Sequence, residues 1–150
     1  MPSTYFSTYS TRLWRCKHFW VCAAVYVVVQ QGEKVIQQLV CAKFRRAKKS
    51  MTVPGLELIT GQMSVILATN VKAALSIHPS SIHCWLDSTV CRKQGRNQIQ
   101  QHKQVTWHDV PSKENPADIG SRGGNAENDI LWKEGPTWLG CATHQSGRLM

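Results

Sequence analysis

The stretch Pro54–Leu75, PGLELITGQMSVILATNVKAAL, decides the fold, because it is the clearest periodic segment of the sequence. Its apolar residues recur with the i, i+3, i+4, i+7 spacing that gives a helix one buried face over about five turns. Pro54 suits the first turn of a helix, where its missing N–H costs nothing. We expect Glu57 in the same turn, where a carboxylate favours the positive helix end, and by itself it reads as an ordinary helix charge. The apolar positions are Leu56, Ile59, Met63, Ile66, Leu67, Val71, Ala74 and Leu75.

Strands are predicted on both sides of this helix. Ile82–Asp87 alternates apolar and polar residues, as a half-buried strand does. Asp87 closes that strand at the end where open α/β sheets place their sites, although a helix cap is an equally ordinary role for it. Before the helix, Phe19–Val29 and Val35–Lys43 are predicted to form a hairpin.

The outer segments complete an α/β pattern. Val105–Val110 is predicted to be a short strand, and Asn115 and Pro116 resemble a capped helix start just ahead of Asp118. We therefore expect three parts: a loose basic arm at residues 1–18, one domain at 19–124 and a Trp-containing tail at 125–150.

The formal charge of +9 is concentrated in the first third of the chain. Residues 1–50 hold nine Lys and Arg side chains and one acid, Glu33. A basic region of this kind suits a polyanionic partner, nucleic acid or an anionic membrane surface, and it is equally compatible with a solvated tail. The candidate nucleic-acid contacts lie in a predicted basic loop and are Arg45, Arg46, Lys48 and Lys49.

The six cysteines form no CxxC pair and no zinc-like spacing, so buried free thiols in a reducing, intracellular compartment are expected. The apolar run Phe19–Val29 is too short to span a bilayer, which takes about 20 residues in a helix. Basic residues before it imitate a signal peptide, and a cleavage after residue 31 would support secretion. Its five valines favour a buried strand instead, and a membrane location is not expected.

Four sequence words, in this order, resemble the ribonuclease H-like region that lies upstream of the integrase in BEL/Pao-type retrotransposon polyproteins. Any one of them would be a weak signal, whereas four in order are specific. The resemblance covers roughly residues 19–139. The words are Thr52–Leu58 (TVPGLEL), Trp85–Val90 (WLDSTV), Val110–Gly123 (VPSKENPADIGSRG) and Leu131–Leu139 (LWKEGPTWL).

The resemblance implies an α/β fold with a ribonuclease H-like mixed sheet flanked by helices, shortened by about one helix after the Asp87 strand. It also implies a site for two Mg²⁺ ions, about 4 Å apart, that cleaves the RNA of RNA–DNA hybrids during reverse transcription. Mg²⁺ takes hard oxygen ligands, so a few carboxylates suffice. Carried over residue by residue, the catalytic and metal-binding acids are Glu57, Asp87 and Asp118. The partners implied are RNA–DNA hybrids or single strands, together with reverse transcriptase and integrase regions of a parent polyprotein.

The first acid of the family, an Asp in the opening strand, has no counterpart, because no Asp or Glu precedes Glu33. The matching position falls near Arg15, which would place a cation beside the metals. Gly55 also replaces the usual Arg of the helix motif. We therefore expect an eroded domain without catalysis. The alternatives are an active nuclease to which Glu33 or a partner supplies the missing ligand, and a non-enzymatic module that binds nucleic acid through the basic N-terminal region, with Trp14, Phe19 and Trp20 as stacking surface.

Overall fold

The computed structural model describes residues 3–15, 18–86, 105–118 and 128–136. They form one mixed sheet with helical elements on both of its faces. In chain order the elements are β1 Ser3–Arg15, β2 His18–Gln31, β3 Lys34–Arg46, α1 Val53–Leu75, β4 Ser81–Leu86, β5 Val105–Asp109, a 3-10 turn at Ser112–Glu114, and α2 Ile130–Glu134.

The sheet has five strands in the order β3-β2-β1-β4-β5. The first three strands pair antiparallel, whereas β4 is parallel both to β1 and to β5. An antiparallel meander can be joined by tight turns, but the step from β3 to β4 needs a crossover connection, and α1 supplies it. The predicted α/β mixed sheet flanked by helices is therefore confirmed.

The prediction of a loose arm at residues 1–18 is wrong for Ser3–Arg15, which forms the central strand β1. Tyr5, Phe6 and Tyr9 are buried there. The hydropathy of this stretch is low because Ser and Thr alternate with the aromatic residues. Thr, Tyr and Phe nevertheless have high strand propensity, and two neighbouring strands supply the ladder that the sequence alone could not reveal. The sheet consequently includes residues well before residue 19.

The predicted hairpin of two apolar strands is confirmed by β2 and β3. Gly32, with φ of 62°, makes the tight turn between them in the left-handed region that favours glycine. β3 runs longer than predicted, through Arg46, so Arg45 and Arg46 belong to a strand and not to a loop. A register shift between Val25 and Tyr26 marks a β-bulge in this pair.

The helix predicted from Pro54 is confirmed as α1. Thr52 caps its start, because the Thr52 hydroxyl accepts a hydrogen bond of 3.2 Å from the Gly55 N–H. Ser76 ends it in the left-handed conformation, with φ of 52°. Glu57 is the fifth residue of α1, so the expectation of an acid in the first turn is wrong.

The buried stripe of α1 includes Leu56, Met63, Leu67 and Val71, which pack on the sheet. Full burial of such a side chain contributes about 1.5–3 kcal/mol. By length and composition alone, Leu58–Leu75 could also cross a membrane, with a mean hydropathy of 1.3, and 44% of that window is buried within the structure.

The two faces of the sheet carry separate cores. The helix face, under α1, contains Phe6, Val25 and Cys84. The opposite face, which we call the aromatic face, contains Tyr9, Tyr26 and Trp85, and α2 contributes Trp132 to it. The rings of Tyr9 and Trp85 are stacked with centroids 6.0 Å apart, and the Tyr26 hydroxyl donates to the Trp132 carbonyl. The described part of the predicted Trp-containing tail at 125–150 thus packs on the domain.

Candidate metal and nucleic-acid site

The carboxyl ends of β1, β4 and β5 meet at one edge of the sheet, which we call the carboxyl edge. Ser10 of β1 lies beside Leu86 of β4, and Leu86 lies beside Asp109 of β5. Because these strands are parallel, the chain leaves β4 and β5 at this edge. Open α/β sheets place their functional groups at such ends.

The start of α1 lies at the same edge. The last residue of β3, Arg46, pairs with Trp20 near the beginning of β2, and Trp20 pairs with Leu13 near the end of β1. α1 starts seven residues later and returns the chain to the opposite edge, where the Ser80 N–H donates to the Thr4 carbonyl at 2.8 Å. The topology therefore carries the beginning of α1, with Glu57, to the carboxyl edge.

Asn115 holds the third segment of the candidate site against β1. Its Nδ2 donates to the Ser10 carbonyl at 3.1 Å, and its Oδ1 accepts from the Ala117 N–H at 3.0 Å. The Asp118 N–H donates to the Asn115 carbonyl at 3.1 Å, which closes one helical turn at residues 116–118. The predicted capped helix start is confirmed, whereas the anchor to β1 was not predictable from local sequence. Asp118 is half-buried beside this anchor.

The three candidate acids differ in how far the structure describes them. Asp118 is described fully, Glu57 is described only by its place in α1, and Asp87 lies outside the described residues, directly after Leu86. Within the described part of the chain, no group of three His, Cys, Asp or Glu residues could hold a metal ion. That the three acids come together thus stays a prediction. The shortening predicted after the Asp87 strand also falls outside the described residues.

Strand β1 offers no carboxylate at the carboxyl edge, because Ser3–Arg15 contains neither Asp nor Glu. The residue level with the end of β4 is Ser10. Arg15, the position that the sequence comparison matched to the first acid, is five residues farther along, or about 16 Å. Glu33 lies in the turn at the opposite end of the sheet, beyond Ser3 and so roughly 23 Å or more from Ser10.

The basic residues predicted to contact nucleic acid are all exposed. Arg45 and Arg46 are the last two residues of β3, and Lys48 and Lys49 follow them before α1. Successive residues of a strand point to opposite faces, so Arg45 lies on the helix face and Arg46 on the aromatic face. The sequence predicted that these side chains form one basic loop, whereas the structure places Arg45 and Arg46 on opposite faces of the sheet.

A pair of histidines on the aromatic face was not predicted. His83 Nδ1 lies 2.8 Å from His108 Nε2, and the Ser81 hydroxyl lies 3.0 Å from His83 Nε2. Trp85 stacks on the His108 ring with centroids 4.1 Å apart. Burial lowers the pKa of His83, because the imidazolium form loses hydration there. The sequence places one histidine in each of two predicted strands. That the two rings meet depends on the register between β4 and β5, which the sequence does not reveal.

The buried cysteines behave as predicted. Cys22 and Cys84 are free and buried, and burial raises the pKa of the Cys22 thiol to about 12. The pKa of Cys84 is raised further by the same cause. Thiols held protonated in this way are poor nucleophiles and poor metal ligands. Among the described residues, cysteine chemistry thus offers no competing explanation of the site.

The strand order and the crossover helix define an α/β fold of the ribonuclease H-like class. Residues 16–88 match the model of the Pao retrotransposon-like RNaseH-like domain. This match covers β2, β3, α1 and β4, together with the first of the four sequence motifs and residues 85–88 of the second. Over this stretch the chain is similar to Pao-type retrotransposon ribonuclease H-like domains, and the predicted resemblance is confirmed.

Two solved structures are similar to the chain. One is LC9-RNase H1, described as a type 1 RNase H with the type 2 active-site motif, at 11% identity and a TM-score of 0.46, with coverage of 81% of this chain and 70% of that one. The other is RNase H1 from the halophilic archaeon Halobacterium salinarum, at 14% identity and a TM-score of 0.41, with coverage of 75% and 90%. No curated protein matches the sequence.

Proposed function

We propose that this retrotransposon-derived ribonuclease H-like domain binds nucleic acid but does not cleave it. The observation that carries the proposal is the composition of β1. This central strand reaches the carboxyl edge with Ser10 and ends with Arg15, and it contributes no carboxylate. A two-ion site needs several carboxylates to hold two Mg²⁺ ions close together against their mutual repulsion.

The donor set fits a divalent ion only in part. Glu57, Asp87 and Asp118 supply hard oxygen atoms of the kind that Mg²⁺ prefers, and their segments end at the carboxyl edge. A hydroxyl at Ser10 is a neutral and weaker ligand than a carboxylate, so the second ion lacks a charged partner on β1. We accordingly expect weak binding of one Mg²⁺ at most, and we assign no step of hybrid cleavage to this chain.

The alternative of an active nuclease completed by Glu33 has a specific observation against it. Glu33 and Ser10 lie at opposite ends of the sheet, so within one chain Glu33 is too far away to join Asp118. A ligand supplied by another subunit or by neighbouring polyprotein regions would avoid this distance. Reverse-transcriptase and integrase coding sequence on either side of this segment in the genome would support that setting.

A hybrid-cleavage assay tests the absence of catalysis. The full chain is incubated with a labelled RNA–DNA hybrid and Mg²⁺ or Mn²⁺, alongside Asp87→Asn and an active ribonuclease H. We expect neither the wild type nor the variant to cleave the hybrid. Cleavage by the wild type that Asp87→Asn abolishes would show that the acids form a working site and would overturn the proposal.

Binding is tested separately on the same hybrid and on single strands by fluorescence anisotropy. The positive charge that attracts phosphates is concentrated in residues 1–50. The logarithm of the binding constant should therefore fall linearly with the logarithm of the salt concentration. If neither ligand is bound at low salt, the nucleic-acid-binding half of the proposal is wrong, whatever the cleavage assay shows.

A further inference from the structure

A groove of about 280 Å³ lies between β3 and the outer side of α1. Lys43 and Arg45 line it from β3, and Gln62, Ile66 and Asn70 line it from α1. It exists because α1 packs mainly over β1 and β2, so the last strand of the sheet extends beyond the helix. The groove is open, since Lys43, Arg45, Gln62 and Asn70 are all exposed.

The residues that line this groove include two cations and neither Asp nor Glu. Residues 34–56 contain six Lys and Arg side chains and neither Asp nor Glu. Lys43 and Arg45 are two residues apart on one strand, so they share a face and lie about 7 Å apart. Two aligned cations at this separation can contact successive anionic groups of an extended chain.

The other lining groups define the kind of ligand further. Gln62 and Asn70 carry amide N–H groups, which donate to phosphate or sugar oxygens without adding charge. Ile66 is 58% exposed and gives the groove an apolar wall against which a sugar or a base could pack. Cations, amides and an apolar wall along one channel are the features that track a nucleic-acid backbone.

We propose that the β3–α1 groove holds one strand of the nucleic acid by its phosphates, with Lys43 and Arg45 as the charged contacts and Gln62 and Asn70 as polar ones. This rests on the proposed nucleic-acid binding and gives it a location. Arg46 belongs to the same basic segment but lies on the aromatic face, so in this proposal it does not contact the bound nucleic-acid strand. Lys43 pairs with Ala23, which pairs with Ser10, so the groove lies on the helix face two strands away from Ser10 at the same level of the sheet.

Matched double variants of the full chain test the location. Lys43→Gln/Arg45→Gln removes two charges from the groove, and Lys113→Gln/Lys133→Gln removes two charges from exposed lysines outside it. The probes are a fluorescent single-stranded oligonucleotide and an RNA–DNA hybrid, titrated at several salt concentrations. Thermal unfolding followed by circular dichroism checks that both variants fold.

We expect the groove variant to lose about tenfold or more in affinity for the single strand, because two charge-assisted contacts disappear. The slope of log affinity against log salt should become less negative by about 1.4 for the single strand, while the control variant retains the wild-type affinity and slope. Equal losses in the two variants would overturn the groove and leave nucleic-acid binding intact. Absence of wild-type binding would remove the proposed function itself.

The same variants are measured on phosphatidylserine vesicles, because an anionic membrane is the other class of polyanion that a basic surface can meet. We expect the groove substitutions to change oligonucleotide binding selectively. Vesicle binding that depends on Lys43 and Arg45, with oligonucleotide binding that does not, would overturn the proposal in favour of a lipid surface.

Discussion

Strands β1 and β2 are neighbours at the centre of the sheet, and they are built from different residues. They pair along their whole length, from Ser3 beside Gln30 to Arg15 beside His18. Phe6 and Tyr9 of β1 are as fully buried as Val25 of β2. Nevertheless β2 is made mostly of Val, Ala and Cys, whereas β1 is made mostly of Ser, Thr and Tyr.

The difference has an energetic consequence. Between its aromatic residues β1 buries hydroxyl groups, and within the described residues Thr8 Oγ1 and Ser10 Oγ have no hydrogen-bond partner. Each such group costs about 1–3 kcal/mol relative to a satisfied one. The backbone ladder and the aromatic side chains must therefore hold β1 in place. The strand on which a ribonuclease H-like site needs a carboxylate is thus one that buries hydroxyl groups without a hydrogen-bond partner among the described residues.

Phe6→Ala gives the largest expected effect on this comparison. The Phe6 side chain is fully buried between the sheet and α1, so its removal should lower the free energy of unfolding by about 3–5 kcal/mol. Denaturant unfolding measures the change. Ile36→Ala on β3 is the control, because that side chain is 54% exposed, and it should stay within about 0.5 kcal/mol. If Phe6→Ala were equally mild, β1 would be the loose arm that the sequence suggested.

The elements that could be predicted from sequence are those whose pattern is local. The periodicity of α1, the alternation of β4 and the valine run of β2 each indicate their structure within a single segment. β1 has no such pattern, and its partners are distant in sequence: Tyr5 pairs with Val28 on one side and with Ser81, 76 positions later, on the other. The same holds for the site. The cap at Asn115 is a local signal, whereas its bond to Ser10 spans 105 residues.

Thr8→Val tests whether the hydroxyls of β1 weaken the core. The two side chains have nearly the same shape, so the substitution removes a buried polar group and leaves no cavity. We expect the free energy of unfolding to rise by about 1 kcal/mol. Thr60→Val in α1 is the matched control, because the Thr60 hydroxyl donates to the Leu56 carbonyl at 2.7 Å and should give no gain. A loss of stability in Thr8→Val would mean that this hydroxyl has a partner elsewhere in the chain.

The smallest expected effect is a pH dependence of the free energy of unfolding that comes from His83. This residue lies on the aromatic face, beside Ser7 of β1. The groups that face His83 are the Tyr5 ring edge, the Ser81 hydroxyl and His108. Burial lowers the folded-state pKa of His83 below the ordinary value of 6.5, so the unfolded chain takes up a proton first. The stability from this group is complete above pH 6.5 and is lost as the pH falls toward and through the lower folded-state value.

Unfolding free energies should therefore decline more steeply in wild type than in His83→Gln between about pH 7.5 and about pH 5, a range that spans the ordinary pKa of histidine. The glutamine side chain is polar but does not titrate. Identical slopes in wild type and His83→Gln would show that the acid sensitivity does not come from His83.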